Sequence, residues 1–241
     1  MHLIEQFKIH TLIPMHIFGW DISFTNASLA MMIACLLAIG LPLFAVMRGN
    51  GALTLLEMSF EFVGDTMQHY AHNAQYFPFI FSIFLFVLFA NMLGLIPHMH
   101  TATSHIIVTL TLALIIYSIL LILGIIKKGL SFFRMFLPSS VPLYLAPLFI
   151  PVELISFLSK PFSLAIRLFA NMVAGHVVLK IFIGFVISLL GLQYFAKPLA
   201  IIPFSITMIM TCFEMAIAFI QAYVFTILSC IYIDDMLGES H

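Results

Sequence analysis

Charged residues in this chain fall in clusters, and long uncharged apolar runs separate them. No charge lies between Asp21 and Arg48, and 27–47 (ASLAMMIACLLAIGLPLFAVM) is apolar throughout. As a helix that run spans about 30 Å, the thickness of a bilayer's hydrocarbon core. Between Asp65 and Lys127 the only titratable side chains of ordinary charge type are histidines and tyrosines. Two further spans, 77–97 and 106–126, are predicted there, with the polar linker PHMHTATSH as a hairpin turn at one surface. Residues 53–72 differ: Glu57, Glu61 and Asp65 recur on one helical stripe, with Leu56, Phe60, Val63 and Met67 toward the other side. That pattern predicts an amphipathic helix lying along the interface.

The last part, 135–237, is predicted to hold a long hairpin. Prolines 138, 142, 147, 151 and 161 imply that its first third is bent or broken. From 162 to 197 and from 204 to 237 there is no proline, which allows helices of about 54 Å and about 51 Å. Both exceed a core of about 30 Å, so strong tilt, roughly 50°, is expected, with a turn near Lys197–Pro203. The reading is an all-α integral membrane protein forming one membrane domain over 1–241. It has about five crossing helices and one interfacial helix, and ends in a strongly tilted hairpin over 138–196 and 198–237.

Composition agrees. The chain is 63% hydrophobic and 8% charged, against roughly a quarter charged in a soluble domain. Its 26 Phe and 15 Met suit lipid-facing and gap-filling positions. A net charge of −1 leaves no basic face for nucleic acid. Cys35, Cys212 and Cys230 lie in apolar stretches without CxxC spacing, so neither a disulfide framework nor a metal site is expected. Residues 1–21 lack the order of a cleavable signal. Lys127, Lys128 and Arg134 lie in one loop, whereas 98–105 holds no Lys or Arg; the amino terminus is therefore expected outside and the carboxyl terminus inside.

An ionisable side chain within a span costs about 2.5–3.5 kcal/mol or more, so it marks function by default. The hairpin carries Glu153, Lys160, Arg167, Asn171 and His176 on its first helix and Glu214 and Gln221 on its second. In an antiparallel hairpin, residues at equal depth have a constant sum of numbers. Arg167 with Gln221 and His176 with Glu214 satisfy one register within two residues, so an amide lies beside the guanidinium and a carboxylate beside the imidazole. Arg167 is a fixed cation and a poor relay, whereas His176 and Glu214 both exchange protons. Arg167 and His176, nine residues apart, point about 180° from each other. Arg167 shares its face with Ser163, Ala170 and Ala174, small residues that admit another helix closely. Glu153 and Lys160 also suit snorkelling to the inner surface.

SLAIRLFANMVAGH (163–176) followed by FEMAIAFIQAYVFTILSCIY (213–232) resembles subunit a of the F-type ATP synthases. The likeness extends to FANMLGLIP (89–97), TSHIIVTLTLAL (103–114) and the opening IEQFKIHTLIPM, and so covers nearly the whole chain. The His-then-Glu order is similar to mitochondrial and alphaproteobacterial members. The resemblance implies a proton-translocating stator subunit with no catalytic site or cofactor of its own, placed against a ring of c subunits and held by peripheral-stalk and other Fo subunits in membrane lipid. It further implies two offset half-channels. The outer one holds His176, Glu214, Asn171 and Gln221, and the inner one holds Glu153. Arg167 faces the ring carboxylate. The richness in Phe, Ile and Met leans toward a mitochondrial inner membrane, with an alphaproteobacterial inner membrane as the alternative. A secondary transporter would need a mid-membrane substrate site and usually an internal repeat, neither of which is evident. A haem or metal site at His98, His100 and His105 rests only on histidines in a polar turn. A purely structural anchor is disfavoured by Arg167.

Overall fold

The computed structural model describes residues 11–14, 16–17, 20–21, 23–49, 51–70, 74–95, 105–129, 146–192 and 197–237. Four short strands come first. β1 (Thr11–Ile13) pairs antiparallel with β4 (Phe24–Thr25), and β2 (His16–Ile17) with β3 (Trp20–Asp21), giving one ladder nested inside another. The hairpin runs directly into α1 (Asn26–Arg48), where Thr25 caps the helix by accepting the Ser28 amide at 3.3 Å. α1 closes on Arg48 and on Gly49, whose φ of 63° suits a residue without a Cβ.

α2 (Gly51–Tyr70), α3 (Phe77–Gly94) and α4 (Ile106–Lys128) follow close to their predicted bounds. α2 is two-sided in the expected sense. Glu57, Glu61 and Asp65 are exposed and Val63 and Met67 are buried, while Phe60 is half-exposed with its ring against Phe77 and Phe81. The core lies among α2, α3, α4, α5 and α6, around Ile80, Phe84, Ile116, Leu164, Phe225 and Ile233. Elsewhere large apolar side chains face outward, such as Leu36, Ile107, Ile155 and Ile209. This is the reverse of a soluble domain. Five of the described helices are long and apolar enough to cross a membrane.

The final hairpin departs from expectation at two places. α5 (Ala146–Leu190) is one helix through Pro151 and Pro161, not broken at either; prolines 138 and 142 lie outside the described residues. Proline removes the amide that would bond the carbonyl four residues earlier. For Pro161 that carbonyl is Phe157's, and the Tyr117 hydroxyl of α4 donates to it at 3.0 Å in a buried setting. A neighbouring helix thus supplies the missing donor. For Pro151 the freed carbonyl is that of Pro147, in the first turn, where carbonyl losses matter least to the rest of the helix.

The second departure is the turn. α5 ends at Leu190, where Gly191 takes a terminal bond to Ile187, instead of continuing to 196. A short 3-10 segment, Lys197–Ala200, leads into α6 (Ile201–Leu237). Pro203 sits inside the first turn of α6, where no intrahelical partner for its amide is required. α5 and α6 are about 68 Å and about 56 Å long, longer still than predicted relative to a core of about 30 Å.

Candidate functional site

The two helices of the hairpin approach closely at Glu214 and Gly175. A Cβ at Gly175 would lie 2.6 Å from Glu214 Cδ and would overlap Oε1, so the acid occupies the space that a bare Cα leaves. Their numbers fix the depth register at the value expected, within one residue, and Gly175 is the chain neighbour of His176. His176 and Glu214 are 7% and 6% exposed. Both Glu214 carboxylate oxygens are buried without a hydrogen-bond partner among the described residues, as is Gln221 Nε2. Such oxygens call for water or a proton, since an unpaired buried carboxylate is strongly unfavourable.

α3 closes the cluster from the third side. Asn91, 1% exposed, donates Nδ2 to the Ala218 carbonyl of α6 at 3.4 Å, and its Oδ1 has no partner. One turn on, the Gly94 backbone is hydrogen-bonded to the His176 ring. Three helices therefore surround a buried polar strip running from His176 and Glu214 to Asn91 and Gln221. Asn171 is half-buried on the α5 side.

Arg167 lies elsewhere. It is exposed, together with Ser163, Ala170 and Ala174, on a face also carrying Phe162 and Ile166. Gln221 is buried, so the predicted amide–guanidinium pair is not made: the two share a depth but face different ways. The reason is rotational, because Gln221 turns into the molecule while Arg167 turns out of it. Toward the other end of α5, Glu153 and Lys160 are half-buried. Lys160 Nζ stands 5.1 Å over the Tyr232 ring, a cation–π contact within a cluster that includes Tyr117 and Phe157. Of the three turn histidines, His98 and His100 lie outside the described residues, and His105 is the N-cap of α4, its carbonyl accepting from the Val108 and Thr109 amides.

The profile of the family described as ATP synthase A chain matches residues 27–234. The chain belongs to that family. Among curated relatives, subunit a of the ATP synthase from Chelativorans sp. (strain BNC1) is 46% identical, covering 99% of this chain and 98% of the relative. Subunit a 1 of Brucella anthropi is 43% identical over 99% and 98%, and subunit a of Mesorhizobium japonicum 42% over 99% and 97%. The family is a membrane subunit of the ATP synthase, and the helices fit a multi-pass membrane protein. These relatives are alphaproteobacterial, so the mitochondrial leaning drawn from composition gives way to the bacterial alternative.

Within this family member, four residues described above escaped the sequence reading: Asn91, Gly94, Tyr117 and Gly175. Asn91 interrupts an apolar run, the same signal that singled out His176 and Glu214. Tyr117 could have been sought as a partner for the carbonyl freed by Pro161. Gly175 carries no sequence signal of its own, because its role is a contact with another helix.

Proposed function

We propose that this chain is the proton-translocating stator subunit of an F-type ATP synthase in an alphaproteobacterial inner membrane. The observation that carries the reading is the two-faced α5: an exposed cation at Arg167, and on another side a buried His176 next to Gly175, which packs on Glu214 of α6. Protons pass from the outer side along the strip of His176, Glu214, Asn171 and Gln221 to a carboxylate on a ring of c subunits. After nearly a full turn they leave by an inner half-channel past Glu153. The unpartnered oxygens of Glu214 and Asn91 suit a hydrated path, since waters satisfy buried polar groups and conduct protons between them.

Arg167 cannot lose its proton in practice, so it attracts the ionised ring carboxylate and bars leakage from one half-channel to the other. Ser163, Ala170 and Ala174 let the ring come close to this face. The driving force is ample, since each charge crossing 100 mV contributes about 2.3 kcal/mol. The partners in this reading are the c-ring, the peripheral stalk, other Fo subunits and lipid, with no cofactor. Arg167→Ala and Arg167→Gln should abolish proton-driven ATP synthesis in membrane vesicles while the chain still inserts. Arg167→Lys should fail too, because a compact hydrated ammonium lacks the planar fork. Coupled synthesis at the parental rate in any of the three would overturn the assignment.

A further inference from the structure

Lys180 is used by nothing described so far. It lies on α5 four residues past His176, about 6 Å along the axis and about 40° round it, and is half-buried. Ten more residues of helix, about 15 Å, separate it from Leu190, so it sits well inside the helix and not at its end. Long side chains on a helix lean back toward its amino terminus, which carries this ammonium toward His176.

The strip beyond His176 is oxygen-rich. Among the described residues, Glu214 offers two buried oxygens without a hydrogen-bond partner, and Asn91 Oδ1 is a third. Carboxylate and carboxamide oxygens, completed by water, are the ligands that hard cations choose. Resting on the proton-channel reading above, we propose that Lys180 is a specificity-determining residue: its positive charge bars metal cations from the Glu214 strip while protons pass. A metal cation must carry its whole charge past the ammonium. A proton need not, because it is handed between waters, imidazole and carboxylate by exchange of bonds.

The test uses vesicles containing the whole complex, with potential-driven proton flux measured in choline buffer and then with added Na+ or Ca2+ on the outer side. Each variant is scored by the ratio of its own flux with and without the added cation. Lys180→Met should be inhibited by Ca2+ at a concentration at least about tenfold lower than the unmodified protein, given the strength of like-charge repulsion at this range. Lys180→Arg should keep the resistance. Lys180→Met as resistant as the parent, or Lys180→Arg as sensitive as Lys180→Met, overturns the proposal. Should Lys180→Met carry too little flux to score, carbodiimide labelling of Glu214, read by peptide mass spectrometry, replaces it. Ca2+ should slow that labelling in Lys180→Met membranes and not in the parent, and equal labelling overturns the proposal. Absence of proton flux in the parent would instead sink the proton-channel reading itself.

Discussion

Replacing Gly175 by Ala places a methyl where Glu214 now lies. The new carbon would stand 2.6 Å from Glu214 Cδ and 2.8 Å from Cγ, against about 3.5–4.0 Å for relaxed carbon contacts. About 1 Å must therefore be made up. The clash reaches Cγ, near the stem, so swinging the carboxylate tip is not enough. Either the Glu214 rotamer changes or α5 and α6 separate. Overpacking of this kind costs about 1–3 kcal/mol, and the better helix propensity of Ala returns about 0.8–1 kcal/mol. The net, about 0–2 kcal/mol, is too small to unfold a domain of ordinary stability. Function is more sensitive: a misplacement of about 1 Å in a working group can cost about 100-fold. Gly175→Ala should thus assemble at near-parental levels and lose about ten- to 100-fold in vesicle proton flux. Shortening the acid in Gly175→Ala/Glu214→Asp should recover part of that loss. Parental flux in Gly175→Ala would refute the reasoning, because the acid would then tolerate displacement.

His176→Ala and Glu214→Gln should each slow proton uptake, and the double variant should lose less than the sum, because adjacent titrating groups set each other's field. Exchange of the two, His176→Glu with Glu214→His, should retain more flux than either half; strictly additive losses with no rescue would mean that they act separately. Tyr117→Phe removes the hydroxyl that donates to the buried Phe157 carbonyl, a loss of about 0.5–1.5 kcal/mol. It should appear as a lower thermal midpoint of the purified complex, and an unchanged midpoint would show that another donor serves. Glu153→Gln should slow proton release on the inner side and alter its pH dependence. Unchanged turnover and profile would reduce Glu153 to a surface acid.

Transfer of apolar side chains from water depends on composition along the chain, so the spans were legible: 27–47 became Asn26–Arg48, and 106–126 became Ile106–Lys128. The depth register of the hairpin was legible too, because antiparallel geometry leaves one free parameter, and the buried His176 and Glu214 supplied it. What was not legible depends on other elements. Pro161 predicts a break only if nothing replaces its amide, and the replacement, Tyr117, is 44 positions away in the chain. Equal depth for Arg167 and Gln221 says nothing of rotation about each helix axis, and rotation decides that one is exposed and the other buried. The α3 side of the strip, Asn91 and Gly94, needed a third helix to be placed before its meaning could be read.

The junction at Phe157 also sets the mechanics of α5. A long helix pressed from the side behaves as a beam, and its deflection grows steeply with the length that is free. Tyr117 of α4 and Tyr232 of α6 grip α5 together at Phe157 and Lys160, only three turns from Arg167. Gly175 against Glu214 braces α5 again beyond Arg167. Under the proposed function, a ring dragging on Arg167 would thus meet a short beam supported at both ends, and the point of charge exchange would be held still against the load.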